Sequence, residues 1–404
     1  MVFQLGKRKI LIASFDLAIG GVERSLIGLL NLLDYEKYEV DLMLFKHEGE
    51  FLPFLPSNSN LLPENPAYAT FRQSIVQIAK SGQLPIAIAR TIAKSASAIH
   101  GKIKRVAEPG YLTIQYGWEI STPFLPTLEK EYDVAIGFLW PHHFIGDKVR
   151  AKKKIGWIHT DYSNIYVNKK IEANMWKNVD QIVAVSEECS NTFCNVFPEL
   201  KGKTTVIENI LSPTFVRQQA EIENANEIKT IKGRTVLVTV GRLSYAKGLD
   251  DAVRACRLLV DLGYDIEWHV VGYGPLEGEL KQLIVELNLE ERFFLLGKKT
   301  NPYPYIKACD IYVQPSRYEG KAVTIREAQI LGKPVVITNF PTAKSQIQNG
   351  MDGIITMSGP KGIMEGVQRL IDNQALRESL ISSVKERDYG NQHEIEKLNT
   401  IIEA

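Results

Sequence analysis

Two glutamates stand eight positions apart in the stretch RYEGKAVTIREA, residues 317–328. Glu319 follows the strand-like run DIYVQPS, and Glu327 falls well inside a helical pattern. Because a carboxylate can accept hydrogen bonds from several hydroxyls, the pair suits a ligand that is rich in hydroxyl groups. We expect Glu319 to face a sugar at the strand exit and Glu327 to face a ribose two turns into the helix.

Two cations follow another strand-like run, in the sequence VGRLSYAKG. Arg242 comes directly after the strand-end Gly241, and Lys247 precedes the predicted start of a helix. Cations at this place oppose the helix dipole, so they gain little from the helix itself. An arginine binds two phosphate oxygens at once and a lysine adds a point charge, so the pair fits a diphosphate. Two solvated surface cations are the alternative.

A helix start adds amide donors to the same predicted site. It falls near Lys321 to Val323. Unpaired amides at a helix start bind anions, so they are expected to point at the diphosphate. The residues expected to supply them are Ala322, Val323 and Thr324.

Near the other end of the chain, Gly20 and Gly21 follow the first strand-like run and precede an amphipathic helix. Paired glycines permit positive φ and a close approach of the backbone to a ligand. Amides at the start of that helix would suit an anion. A Gly-Gly pair is also common in ordinary strand–helix turns, so this motif alone does not identify a ligand.

Strand-like runs alternate with helical patterns through almost the whole chain. Several runs are continuously apolar, which is typical of strands buried on both faces of a parallel sheet. The alternation indicates α/β units with right-handed crossovers. The expected strands are residues 9–15, 38–45, 133–139, 154–158, 181–186, 235–241, 266–272, 292–297, 310–316 and 334–339.

A polar stretch, residues 209–234, separates two sets of strands and is predicted to be a linker. The expected fold is α/β, with two Rossmann-like domains whose parallel sheets face a central cleft. Ligands of such sheets bind at the carboxyl ends of the strands. The predicted domains are 1–210 and 211–387, and a helix at about 388–404 could pack back onto the first.

The distribution of charge limits the kinds of partner that the chain is expected to bind. The chain has 404 residues and a net charge of +1, so charge does not favour nucleic acid. From Asn65 to Ala107, however, there is no Asp or Glu. Solvated faces explain such a basic segment, and so does attraction to an anionic membrane or a phosphorylated acceptor. Its basic residues are Arg72, Lys80, Arg90, Lys94, Lys102, Lys104 and Arg105.

Residues 85–105 carry isoleucines near one stripe of a predicted helix. We expect this stripe to pack against its own domain, and contact with lipid head groups is the alternative. No run approaches the ~18 apolar residues of a membrane-spanning helix. Four cysteines without metal-type spacing indicate reduced thiols in a cytoplasmic protein, which could lie peripherally at the inner face of a membrane. The isoleucines are Ile88, Ile92, Ile99 and Ile103.

These motifs resemble the retaining glycosyltransferases of family 4, which have the two-domain GT-B fold. The resemblance covers nearly the whole second half of the chain and is looser in the first, as expected where acceptors vary. Lys321, Ala322 and Arg326 depart from the family pattern, which leaves the donor sugar open. The matching segments are the first Gly-Gly loop, GRLSYAKG, VVGYGPLEGEL, YEGKAVTIREAQILGKPVVIT and QNGMDGII.

The resemblance implies a role for each matching residue. Arg242 and Lys247 match the pair that binds the donor diphosphate. Glu319 matches the acid on the donor sugar, and Glu327 the acid on the ribose. His159, in GWIHTDY, looks like the cleft histidine near the sugar, although a histidine after a strand is often only a packed residue. The implied donor-binding set also includes Gly20, Gly21, Gly241, Gly274, Gly320, Lys321, Ala322, Val323 and Thr324.

The family implies transfer of a sugar from a nucleoside diphosphate sugar to an acceptor hydroxyl, with retention of the anomeric configuration. A UDP-sugar is the favoured donor and a GDP-sugar the other option. The acceptor would be a saccharide or a lipid-linked saccharide, as in bacterial envelope polysaccharide assembly. No Asp-x-Asp motif stands at a plausible strand end, so we expect neither a metal nor a cofactor.

Three alternatives remain open. Gly272, Gly274 and Gly278 superficially resemble the dinucleotide loop of a nicotinamide-dependent dehydrogenase. Lys298 and Lys299 stand, however, where such a loop needs its partner acid, about 20 residues on. A sugar-nucleotide epimerase of the same fold would need acid–base residues around the sugar and no acceptor. A non-catalytic partner subunit would bind the nucleotide sugar without turnover.

Overall fold

The computed structural model describes residues 6–18, 20–106, 109–228, 231 and 233–404. The chain divides into two units. The first comprises the residues up to Glu208 together with His393–Ala404, and the second is Asn209–Gln392. The observed break thus lies two residues before the predicted boundary at 210/211.

The first unit is built on a seven-stranded sheet in which every strand pair is parallel. Helices accompany the strands, as a parallel sheet requires. The strands are β1 (Arg8–Ser14), β2 (Tyr38–Leu44), β3 (Asn60–Leu61), β4 (Leu128–Gly137), β5 (Val149–Ile158), β6 (Gln181–Ala184) and β7 (Thr204–Val206), in the order β3-β2-β1-β4-β5-β6-β7. The helices are α1 (Gly21–Leu32), α2 (Pro66–Ala69), α3 (Ile75–Lys80), α4 (Leu84–Lys104), α5 (Gly110–Ser121), α6 (His143–Lys148), α7 (Lys169–Lys177) and α8 (Glu187–Val196).

The second unit is built on a six-stranded sheet whose pairs are also all parallel. The strands are β8 (Thr235–Val240), β9 (Ile266–Val271), β10 (Phe293–Leu295), β11 (Ile311–Gln314), β12 (Val335–Thr338) and β13 (Ile354–Thr356), in the order β10-β9-β8-β11-β12-β13. The helices are α9 (Pro213–Ile222), α10 (Leu249–Asp261), α11 (Glu277–Glu286), α12 (Tyr303–Ala308), α13 (Val323–Ile330), α14 (Ala343–Gln346), α15 (Pro360–Asp372) and α16 (Gln374–Glu386), and α17 (Glu394–Glu403) returns to the first unit.

The ten expected strands are all present, with ends that differ by up to five residues. Three short strands, β3, β7 and β13, were not expected. Each has two or three residues and lies at the edge of its sheet. Because an edge strand can be this short and only partly buried, it leaves little apolar pattern in the sequence.

The segment expected to be a linker contains a helix, so that expectation is wrong for α9. Ser212 caps the helix by accepting a hydrogen bond from the Phe215 amide, and Pro213 occupies its first turn. Val216 and Ala220, four residues apart, are buried in the core of the second unit. Two buried apolar residues on one face are too few to indicate a helix within a polar stretch of sequence.

The long helix α4 packs through small residues, so the expectation that its isoleucine stripe packs against its own domain is wrong. The buried face repeats a small residue every fourth position. The Ser97 hydroxyl lies 3.2 Å from that of Thr113 on α5, which shows how closely the two helices approach. Helices pack closest where the contacting side chains are small, so the bulky isoleucines remain outside. The small residues are Ala89, Ala93, Ser97 and Gly101.

The C-terminal helix α17 is fixed to the first unit through its last carbonyl groups. Arg8 Nη1 donates a hydrogen bond to the Ile402 carbonyl oxygen at 2.8 Å, and Lys153 Nζ donates to that of Ile401 at 2.7 Å. The last carbonyls of a helix lack partners within the helix, so cations stabilise this end.

Candidate active site

The loop after β8 is shaped by contact with the end of β11. A turn of 3₁₀ helix at Tyr245–Lys247 leads to Gly248, which has φ of 60° and precedes α10. A Cβ atom on Gly248 would lie 2.2 Å from the Pro315 carbonyl oxygen, so only glycine fits here. The Arg317 amide also donates to the Ala246 carbonyl oxygen at 2.8 Å. These contacts carry Lys247 to the carboxyl edge of β11.

Lys247 and Glu319, predicted separately from two motifs, form an ion pair in which Lys247 Nζ donates to Glu319 Oε1. Their side chains are 20% and 11% exposed, so the pair is largely shielded from solvent. The same oxygen accepts from Ser316 Oγ at 2.6 Å and from Gln314 Nε2 at 3.2 Å. Oε2 accepts no hydrogen bond from any residue that the structure describes. This oxygen can therefore accept from ligand hydroxyls while the other holds the carboxylate in place.

Arg242 contrasts with Lys247. Its side chain is exposed and forms no hydrogen bond or ion pair with the described part of the chain. The Lys247 side chain runs close to Gly241, because a Cβ atom built there would lie 3.4 Å from Lys247 Cδ. A side chain at 241 would therefore be in ordinary van der Waals contact with the lysine. The loop offers one exposed cation and one cation held by an acid.

The glycines after β9 support this loop. A Cβ atom on Gly272 would lie 1.8 Å from the Gly241 carbonyl oxygen, and one on Gly274 would lie 2.4 Å from that of Leu243. A Cβ atom on Gly278 would meet nothing within 4 Å. The first two glycines therefore let two strand-end loops touch, which accounts for the pattern that resembled a dinucleotide loop. Direct contact of Gly274 with a donor stays a prediction.

Helix α13 begins at Val323, within the predicted range, and Ala322 is its N-cap residue. The Ala322 amide donates to Gln346 Oε1 at 3.0 Å, so this predicted anion donor is engaged by a side chain. The Val323 and Thr324 amides belong to the first turn, where a helix supplies no acceptor of its own. Gly320 and Lys321 are half-buried between Glu319 and this helix start.

Polar side chains that the sequence analysis missed hold this edge of the sheet. Thr342 Oγ1 donates to the Glu319 carbonyl oxygen at 3.1 Å and accepts from Gln346 Nε2 at 3.1 Å. Thr324 Oγ1 donates to Gln314 Oε1 at 3.2 Å. Polar residues at the end of the apolar strand in VQPS were a usable signal for Gln314. Nothing in the sequence indicated Thr342 or Gln346, because they come from a later loop.

Glu327 is fully buried within α13. Tyr303 donates a hydrogen bond from its hydroxyl to Glu327 Oε1 at 3.0 Å. A buried carboxylate needs such donors, because desolvation without them is costly. Contact with a ribose stays a prediction, and the carboxyl group is shielded from solvent in this structure.

Arg317 was not among the predicted site residues. Its side chain links the loop after β11 to the loop after β8 and to the start of α10. Its guanidinium donates to both carboxylate oxygens of Asp250 at 2.8 Å and to Asp251 at 2.7 Å, and lies 4.4 Å from the ring centre of Tyr245. Burial would raise the pKa of Asp250, but the hydrogen bonds and charge of Arg317, together with a backbone hydrogen bond and Arg254, lower it. Acids in the first turn of α10 suit the helix dipole and repel an anion. An anionic ligand must therefore be bound by other groups of this edge.

In the first unit, the Gly-Gly loop does not use the freedom that paired glycines permit. Gly20 has φ of −167°, which is extended, and neither Gly20 nor Gly21 has positive φ. A Cβ atom on Gly20 would lie 2.1 Å from Glu23 Oε2, whereas one on Gly21 would meet nothing within 4 Å. Gly20 thus makes room for a folded-back acid. Burial raises the pKa of Glu23 to about 7.

His159 follows β5 and is an uncharged ring. Its Nε2 lies 2.9 Å from the Phe138 carbonyl oxygen, so Nε2 carries the proton and donates. Nδ1 is buried and finds no partner among the residues described. Burial lowers the pKa of His159 to about 4. The side chain can therefore offer a neutral hydrogen-bonding group and supplies no positive charge at neutral pH.

The described residues include no group of three or more His, Cys, Asp or Glu side chains that could hold a metal ion. Within the same residues, no helix is both long enough and apolar enough to cross a membrane.

Comparisons with known proteins agree with this architecture. The family model "Glycosyl transferases group 1" matches residues 221–387. The capsular polysaccharide biosynthesis glycosyltransferase CapM of Staphylococcus aureus is 26% identical over 226 residues, which cover 54% of this chain and 58% of CapM. The chain thus spans little more than half the length of this relative, and an uncharacterized glycosyltransferase of Methanocaldococcus jannaschii is matched over 43% of its length.

Solved structures cover almost the whole chain. S. aureus TarM, crystallised as a G117R mutant with fondaparinux, alpha-GlcNAc-glycerol and UDP, has a TM-score of 0.69 and 15% identity over 98% of this chain and 100% of TarM. Anabaena HepE in complex with UDP-glucose has a TM-score of 0.66 and 18% identity over 97% of this chain and 100% of HepE. The two parallel-sheet α/β units have the GT-B fold, and residues 221–387 match the group 1 glycosyltransferase model.

Proposed function

We propose that this protein is a retaining glycosyltransferase that moves a sugar from a nucleoside diphosphate sugar to a hydroxyl of a saccharide or lipid-linked saccharide. The observation that carries the proposal is the Lys247–Glu319 pair at the carboxyl edge of β8 and β11. It combines a cation for a phosphate with a carboxylate oxygen left open for sugar hydroxyls. Exposed Arg242 precedes it on the same loop.

In the proposed reaction, the bond from the anomeric carbon to the diphosphate oxygen breaks as a bond to the acceptor oxygen forms on the same face. The departing diphosphate takes the acceptor proton. Negative charge grows on the diphosphate during this step, and fixed cations that meet it need little reorganisation. Lys247 and Arg242 would supply that charge, with the first amides of α13. No step needs a metal ion, so turnover is expected without one.

The relatives support a donor and a pathway by analogy. TarM and HepE were crystallised with UDP or UDP-glucose, which favours a UDP-sugar, with a GDP-sugar as the other option. CapM acts in capsular polysaccharide biosynthesis, which favours a polysaccharide acceptor. His159 would offer its neutral ring to the sugar, and Glu327 would reach the ribose.

The test combines binding with product analysis. A thermal-shift screen across UDP- and GDP-sugars identifies the donor, because a ligand that binds the folded state raises its stability. Incubation of that donor with saccharide acceptors should then give a product whose new bond keeps the donor's anomeric configuration by NMR, and EDTA should not lower the rate. A donor that is isomerised without acceptor would make the protein an epimerase. Binding without turnover across the acceptor panel would make it a non-catalytic subunit.

A further inference from the structure

Helix α4 leaves a row of large aliphatic side chains in solvent. They recur at intervals of four or seven residues and are between 53% and 73% exposed. This periodicity places them along one face of the helix, opposite the small residues that pack on α5. At 21 residues the helix is about 31 Å long. The outer face of α4 consists of Leu84, Ile88, Ile92, Ile99 and Ile103.

The exposed charge on this segment is of one sign. Lys94, Lys102 and Lys104 are exposed on α4, Arg105 ends the helix, and Lys80 is exposed on α3. No Asp or Glu occurs between residues 65 and 106. An exposed apolar face on a helix whose exposed charges are basic is typical of helices that lie in the plane of a membrane interface. Lysine stems can cover apolar surface while the ammonium groups meet lipid phosphates.

A second copy of the chain is a poorer partner for the same face. Two copies joined through α4 would bring two sets of lysines together. The segment contains no carboxylate to pair with them, so like charges would face each other across the contact. An anionic surface supplies the opposite charge and buries the isoleucines as well.

We propose that the outer face of α4 docks on the surface of a bilayer that contains anionic lipids. The isoleucines enter the boundary between head groups and acyl chains, and the lysines bind the phosphates. No transfer chemistry is involved, so the proposal stands or falls independently of the proposed function.

The test is flotation of the full chain with vesicles of phosphatidylcholine and phosphatidylglycerol, compared with phosphatidylcholine alone, at low and high salt. The wild-type chain should float with the anionic vesicles, and salt should weaken this binding because it screens the charges. Substituting Ile88→Ser, Ile92→Ser and Ile99→Ser together should abolish flotation. The matched control replaces exposed apolar residues of the second unit, Leu262→Ser and Val285→Ser, and should float like the wild type.

A charge variant keeps the test valid if the serine variant misfolds. Lys94→Glu with Lys102→Glu should lower the bound fraction at least about tenfold, since each lysine near an anionic surface contributes strongly. Lys201→Glu with Lys385→Glu, exposed elsewhere, is the control. Absence of flotation at low salt, or equal binding to neutral vesicles, would overturn the proposal. A dimer in solution that only the serine variant dissociates, without vesicle binding, would assign the face to a second copy instead.

Discussion

The two units differ in the charge they present at the carboxyl edges of their sheets. In the second unit, exposed Arg242 and the half-buried Lys247 lie near Glu319, while the acids at the start of α10 are already paired with Arg317. In the first unit, His159 is neutral, and Arg72 is already paired with buried Asp16 at the end of β1. We therefore assign the stabilisation of a diphosphate to the second unit. In the first unit, His159 offers a neutral hydrogen bond, which suits hydroxyl groups.

The largest expected effect comes from removing the half-buried cation. Lys247→Ala should lower kcat/KM by about 10³-fold, because a fixed charge on a leaving group is worth several kcal/mol. The control is Lys307→Ala, which breaks an exposed pair with Glu221. Surface pairs contribute little, so this variant should keep its activity. Equal rates for the Lys247 variant and the wild type in steady-state assays would refute the charge assignment.

Arg242 is expected to matter somewhat less, because its side chain is exposed. Arg242→Ala should reduce kcat/KM by about 10²-fold through loss of a forked phosphate contact. Arg242→Lys should recover part of this, since the charge remains and the bidentate geometry does not. If the lysine variant is as impaired as the alanine variant, the role of the residue is geometric and not electrostatic. Donor titrations of both variants give the comparison.

Two glycines near each other in sequence test whether the loop contacts position the cations. Gly274→Ala would place a methyl group 2.4 Å from the Leu243 carbonyl oxygen. It should lower the free energy of unfolding by about 1–3 kcal/mol and weaken donor binding, because the loop of Arg242 must shift. Gly278→Ala meets nothing within 4 Å and should do neither. Denaturant unfolding gives the stability of each variant, and donor titrations give its affinity for the donor. Identical stability and affinity in the two variants would contradict the packing explanation.

The neutral histidines of the first unit predict a dependence of stability on pH. Burial lowers the pKa of His142 to about 3, against an ordinary value near 6.5. Because the unfolded chain binds a proton below about pH 6.5 and the folded chain does not, stability is full above that pH and falls as pH drops. Between about pH 6.5 and 4.5 the loss is on the order of 2 kcal/mol for one such group.

His142→Gln should therefore flatten this fall, whatever it does to stability at neutral pH. Tryptophan fluorescence follows the first unit, which holds Trp118, Trp140, Trp157 and Trp176 of the five tryptophans. His393→Gln, at the exposed start of α17, is the control. An unchanged slope in the His142 variant would show that other groups govern the acid sensitivity.

The sequence predicted the parts of the site that depend on local pattern. Apolar runs located the central strands, and the start of α13 was expected within its range. Lys247 and Glu319 were identified in separate motifs, and a parallel sheet brings strand ends together. Arg317, Thr342 and Gln346 were missed, because their roles depend on which loops touch after folding.

Side-chain size explains the other errors. For α4, periodicity showed that one face had to be apolar. It did not show that α5 would pack against the small-residue face, which includes Ala93 and Gly101. Gly20 could have adopted positive φ and is extended, and the neighbouring Glu23 side chain folds into the space beside it. Both outcomes depend on packing between residues that no local pattern connects.

The most direct measurement is calorimetric binding of nucleoside diphosphates and monophosphates, UDP against UMP and GDP against GMP, to the wild-type chain and to Lys247→Met. The wild type should bind one diphosphate much more tightly than its monophosphate, and Lys247→Met should lose most of that difference. Equal affinity for the diphosphate and the monophosphate in the wild type, or an undiminished preference in Lys247→Met, would contradict the assignment of diphosphate binding to the second unit.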